Sequence, residues 1–274
     1  MPIFLDASAR ATVREVRELD TVPSTNALLS SLARKGEDGG LLVVAREQSA
    51  GRGRLSRSFF SARDAGIYMS LLLRPSPDAD LLPLLTPLAG VATLEAIREV
   101  TGREVGIKWV NDIFLGEKKV AGILAESGFS ENANNSLQNR FFVVLGIGIN
   151  LYPAQTLPAS LAPIVGTLYE SEEQYKAQGN VRDALIGALL SRLCYHLGAL
   201  KSRAFLDTYR RYSTVLSRHV LVFDATDGEK KNPREAFAEA ITDRAGLLVR
   251  YADGRQEELT AGEVSLSVSD PKAE

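Results

Sequence analysis

Apolar residues fall in short runs through the first 150 positions, at helical spacing through most of the next sixty, and in short runs again near the end. Residues 41–45, 67–73 and 141–150 are nearly continuous apolar runs bounded by glycine, proline or polar clusters, the mark of buried strands. Residues 105–109, 113–115 and 120–126 predict three more, with Asn111-Asp112 in the first turn and Gly116-Glu117-Lys118-Lys119 in the second.

Helices are expected at 27–33, after the capping candidates of Asp20-Thr21-Val22-Pro23-Ser24-Thr25-Asn26, and at 84–100, with Pro83 and Pro87 near its first turn and Thr101-Gly102 closing it. Three more are expected at 172–178, 181–200 and 203–212. The start of the chain reads as extended, and 127–140 as a surface hairpin loop with an Asn-rich middle. Beyond Ser217, runs at 220–223, 236–243, 247–251 and 264–266 with Gly, Asn and Asp turns predict a small β-barrel. The irregular mixture argues for an α+β fold, with one domain at 1–217 and a second at 218–274.

A length of 274 residues, 45% of them hydrophobic and 24% charged, suits a large domain plus a small one. The net charge of -2 supplies no general field for nucleic acid. The single cysteine, Cys194, lies in an apolar run and reads as a buried small hydrophobe. His196 and His219 have no Glu or Cys at ligand spacing, which argues against zinc chemistry, a Ser-His-Asp triad or any other assignable metal site. Residues 1–17 lack the apolar core of a signal peptide and no window has membrane-spanning length, so a reducing cytoplasm is expected.

Three segments carry candidate chemistry. In Gln48-Ser49-Ala50-Gly51-Arg52-Gly53-Arg54-Leu55-Ser56-Arg57, two glycines free the backbone and three arginines bring forked donors, as a polyanion or acyl phosphate requires. On composition it serves equally as a solvated loop or an RNA-gripping segment. Lys108-Trp109-Val110-Asn111-Asp112, followed by Lys119-Val120-Ala121-Gly122-Ile123-Leu124-Ala125-Glu126, places lysine beside Asn and Asp at a strand rim; alone it also reads as a surface hairpin. Gly146-Ile147-Gly148-Ile149-Asn150 lacks the third glycine, helix and acidic residue of a dinucleotide fingerprint, and no P-loop occurs.

Together with Ser24-Thr25-Asn26, these segments resemble the biotin-protein ligases in order and spacing, strongly over residues 18–152 and more weakly to Gly262-Glu263-Val264-Ser265-Leu266. The resemblance implies a mixed sheet with flanking helices, like the catalytic domain of class II aminoacyl-tRNA synthetases, plus a C-terminal SH3-like barrel. It implies formation of biotinyl-5'-AMP from biotin and ATP with Mg²⁺, then transfer of biotin to a lysine of a biotin carboxyl carrier domain. Lipoate or octanoate ligases and transferases share the fold and are the alternative.

By the same resemblance Lys119, Arg54 and Arg52 are catalytic, and Ser24, Thr25, Asn26, Gln48, Gly51, Arg52 and Gly122 meet biotin. Arg54, Arg57, Phe59, Lys108, Asn111, Asp112, Lys119 and Asn150 meet the nucleotide. Phe59 and Val110 stand where the family often has Trp and Pro, so stacking of Phe59 on adenine would involve less area. Only residues 1–23 precede the Ser-Thr-Asn turn, too few for the DNA-binding domain of some relatives, so no DNA partner, no membrane, and a monomer or homodimer are expected.

Overall fold

The computed structural model describes residues 3–55, 57–76, 78, 80–131, 141–223 and 233–266. Helix α1 (Ala7–Thr12) precedes an edge strand β1 (Glu15–Val22), which runs parallel to β2 (Leu41–Gln48) across helix α2 (Thr25–Arg34). The sheet continues antiparallel through β3 (Gly66–Leu73), β7 (Phe141–Asn150), β6 (Lys118–Phe129), β5 (Asp112–Leu115) and β4 (Gly106–Lys108).

Both faces of this seven-stranded sheet are covered, which is why its central strands read as unbroken apolar runs. On one face Ile67, Met69, Leu71, Leu145, Ile147 and Ile149 join the core formed with α3 (Leu85–Thr101) and α5 (Val181–Gly198). On the other, Leu72, Phe142 and Val144 pack with Leu29 and Ala33 of α2. Along that second face the next positions are Ser70, Gly146 and Gly148, where the apolar cover stops and the site begins.

Helix α3 runs to Thr101, one residue beyond the expected end, and is closed as expected by Gly102, whose φ of 65° is the left-handed C-cap that glycine adopts at least cost. Pro83 lies in a 3-10 turn before it. Helices α4 (Glu172–Lys176) and α6 (Phe205–Arg211) are shorter than the sequence predicted.

Three expectations change. The start is not simply extended: Asp6 caps α1 by accepting from the Ala9 N–H at 2.8 Å, and the charged run after it forms β1. Residues 127–129, expected in a loop, extend β6, while the predicted loop over 132–140 lies outside the described residues. The C-terminal strands form an open antiparallel sheet among the described residues, not a closed barrel. Its order is β11 (Gln256–Leu259), β10 (Leu247–Tyr251), β9 (Arg234–Ile241), β8 (His219–Phe223), β12 (Glu263–Leu266), with β11 and β12 at opposite edges. β11 escaped prediction because its sequence Gln-Glu-Glu-Leu holds one apolar residue.

The two sheets share one core, which runs from Trp109 and Ile107 to Val220, Ala238 and Val249. Trp109 crosses the junction, its indole N–H donating to the Ala245 carbonyl at 2.9 Å. No helix among the described residues is long and apolar enough to cross a membrane.

Candidate functional site

The N-terminal turn of α2 meets the end of β2 in a polar corner. Ser24 caps the helix, its hydroxyl accepting from the Ala27 N–H at 3.4 Å. The Gln48 amide oxygen accepts from the Thr25 N–H at 2.8 Å, while its amide nitrogen donates to Ser61 Oγ at 2.8 Å. Ser24, Thr25, Asn26, Gln48, Arg52 and Gly122 line one pocket here, floored by Gly146 and Gly148.

The glycines of β7 make room for side chains from other elements. A Cβ on Gly146 would lie 2.1 Å from Asn26 Oδ1, and one on Gly148 would lie 2.5 Å from the Phe59 ring. Asn26 and Phe59 therefore occupy space that the missing side chains leave, and the free volume that remains is small, about 50 Å³.

Lys119 owes its direction to an irregularity. Ile113 pairs with Ala121 but Phe114 pairs with Lys119, so Val120 is an extra residue in β6. In a regular strand Lys119 would share the buried face of Ala121; one inserted residue turns it to the opposite face. Its ammonium reaches Asp112 Oδ1 at 2.7 Å and lies 3.0 Å from where a Gly122 Cβ would stand.

The glycine-arginine loop folds as a narrow hairpin, with the Gly53 N–H donating to the Arg57 carbonyl and the Phe59 N–H to that of Gly51. Arg54 points inward and donates to Asn111 Oδ1 at 3.0 Å and to the Gly262 carbonyl at 3.4 Å. Burial pushes its guanidinium below the ordinary arginine value, an effect that nearby Asp112 and Glu263 oppose. Arg57 pairs with Glu263 at 2.5 Å, and Arg52 with Glu126 at 3.1 Å.

Arg54, Arg57, Phe59, Lys108, Asn111, Asp112 and Lys119 line a second cleft, with Gly262 and Glu263 on its far wall. Lys108 also holds its ammonium 5.2 Å from the centre of the Phe114 ring. Lys119, Arg54, Phe59 and Asn111 belong to the first pocket as well, so the two are continuous.

Two expected site residues stand apart. Gly51 lies in the outer groove of the hairpin, its missing Cβ replaced by the Phe59 carbonyl 2.3 Å away. Asn150 donates to the Gly166 carbonyl at 3.1 Å and lines a neighbouring cavity of about 330 Å³ with Tyr152, Leu157, Val165 and Gly166. That cavity went unread in the sequence, since residues 153–167 show neither periodicity nor charge. It is held against the site by paired bonds: the Lys119 N–H to the Ile164 carbonyl, and the Gly166 N–H to the Lys119 carbonyl. Glu263 was also missed as a contact of the arginine hairpin, being remote from it in sequence. No cluster of three or more acidic, His or Cys side chains suited to a metal ion occurs among the described residues.

Comparison with known proteins adds the following. Residues 18–150 match the model of the Biotin/lipoate A/B protein ligase family. The bifunctional ligase/repressor BirA of Bacillus spizizenii is 38% identical over 169 residues, 61% of this chain and 50% of that protein. The biotin--[acetyl-CoA-carboxylase] ligase of Mycobacterium tuberculosis is 31% identical over 185 residues, 65% of this chain and 64% of that protein. The chain thus spans about half the length of the first of these relatives. The biotin protein ligase of Aquifex aeolicus, solved in complex with biotin and ATP, superposes with a TM-score of 0.70 at 26% identity, covering 93% of this chain and 99% of that one.

Proposed function

We propose that the chain, whose residues 18–150 match the model of the Biotin/lipoate A/B protein ligase family, is a biotin-protein ligase. It joins biotin to AMP at the expense of ATP and passes the biotinyl group to a lysine of a carboxylase carrier domain, in the cytoplasm and without DNA. The observation that carries this reading is the position of Lys119. Its ammonium lies at the junction of a polar pocket suited to a neutral ring and a cleft lined with arginines suited to phosphate.

A ureido ring offers one carbonyl and two N–H groups, and the first pocket presents the hydroxyls of Ser24 and Thr25, the amide of Gln48 and the guanidinium of Arg52. The carboxylate of biotin then comes to Lys119, whose compact charge offsets the charge that builds up as the carboxylate attacks the α-phosphate and pyrophosphate leaves. Arg54 and Arg57 are proposed to exchange their present oxygen partners for phosphate and to shield the anhydride from water. Asn111 in the cleft and Asn150 in the neighbouring cavity are proposed to bond the nucleotide. Asp112, which lines the cleft, would contribute one carboxylate oxygen to Mg²⁺, and phosphate oxygens and water would supply the rest. That ion would shield the triphosphate.

The test incubates the chain with ATP, Mg²⁺, labelled biotin and a carrier domain, with lipoate in a parallel tube. Label from biotin on the carrier is expected; label from lipoate alone would overturn the reading. Lys119→Ala should lower adenylate formation by at least ~10²-fold. Arg54→Ala should still form adenylate but release it to solution, detected by labelling of bystander proteins.

A further inference from the structure

We infer that Glu126 is a positioning residue that ties the arginine hairpin to the N-terminal turn of α2 across the first pocket. The inference rests on the reading of that pocket as the seat of the biotin ring. Strand register supplies the frame, since Ser70, Gly146 and Leu124 are direct neighbours across β3, β7 and β6. Glu126, two residues beyond Leu124, stands on the same face.

Asn26 lies in the gap over Gly146 and is 4% exposed. Ser70 Oγ donates to its amide oxygen at 2.6 Å, and its amide nitrogen donates to the Leu124 carbonyl at 3.3 Å and to Glu126 Oε2 at 2.9 Å. The other oxygen of the same carboxylate, Oε1, meets Arg52 Nη1 at 3.1 Å. One carboxylate thus joins a buried amide on α2 to an exposed guanidinium at the pocket rim.

The chemistry requires a carboxylate. Both partners are donors only at the atoms that face Glu126, so both of its oxygens must accept. In Glu126→Gln one oxygen becomes an NH₂ group and sets donor against donor. Asn26 is the more buried partner and keeps the remaining acceptor, because an unsatisfied buried amide costs more than an exposed guanidinium returned to water. The substitution therefore frees Arg52 selectively while leaving the pocket floor in place.

Two measurements test this. In limited trypsin digestion of the ligand-free chain, cleavage after Arg52, Arg54 and Arg57 should be about five-fold faster in Glu126→Gln than in the wild type. In steady-state adenylation, the same variant should raise KM for biotin about ten-fold and lower kcat less than about three-fold, and it should add no further effect in an Arg52→Ala background. Unchanged cleavage together with a wild-type KM overturns the tether, and so does a full additional effect on top of Arg52→Ala. If the wild-type chain makes no biotinyl adenylate, the functional reading fails, and the digestion still decides whether Glu126 holds the hairpin.

Discussion

At Gly146 an added methyl group has nowhere to go, because Asn26 already lies 2.1 Å from the position it would take. Gly146→Ala should destabilise the fold by about 1–3 kcal/mol, the usual range for overpacking a rigid interior. It should also displace the Asn26 amide and weaken biotin binding; urea midpoints and a direct binding titration check both. Gly198, at the end of α5, meets nothing within 4 Å, so Gly198→Ala should stabilise by about 0.5–1 kcal/mol. The motif residues themselves stand out in the sequence because polar clusters interrupt apolar runs. The reason for the glycines does not: which side chain fills the space over Gly146 or Gly148 depends on α2 and on the arginine hairpin, which reach β7 only in three dimensions.

The elements were legible wherever an apolar run or a helical spacing was long, as in β3, β7, α3 and α5. They were illegible where charge predominates, as in β1, or where a single residue decides the outcome. The extra Val120 in β6 leaves no mark in the sequence, yet it determines whether Lys119 faces the core or the cleft. Helix α1 lies at the other extreme, held by a cap. The Asp6 carboxyl titrates below its ordinary value because the Ala9 N–H, and after it the Ser191 hydroxyl, donate to its ionised form. A carboxylate lowered in this way adds stability that is fully present above the unfolded value and is lost as pH falls through the folded one. The Tm of Asp6→Asn should therefore fall below that of the wild type at pH well above the ordinary carboxyl value, and the gap should narrow as pH falls below that value.

For the molecule as a whole, the second sheet is joined to the site at two points, Trp109 to Ala245 and the arginine hairpin to β12. Trp109→Phe removes the first bond and leaves the buried Ala245 carbonyl unmatched, which should cost about 1–3 kcal/mol in chemical denaturation. Glu263→Ala removes the partner of Arg57 and should increase tryptic cleavage within the hairpin without lowering the melting temperature by more than a few degrees. That short strands close the chain could be read from the sequence; that the turn before the last of them touches a loop some two hundred residues earlier could not, since nothing local encodes it.

A hollow made by glycines also limits what can be redesigned. Gly122, Gly146 and Gly148 have no side-chain atoms left to trim, so mutation at these positions can only narrow the pocket. A bulky group that can be cut back is the benzyl of Phe59, which fills the space over Gly148, and that position is a place to start in opening the pocket to larger ligands.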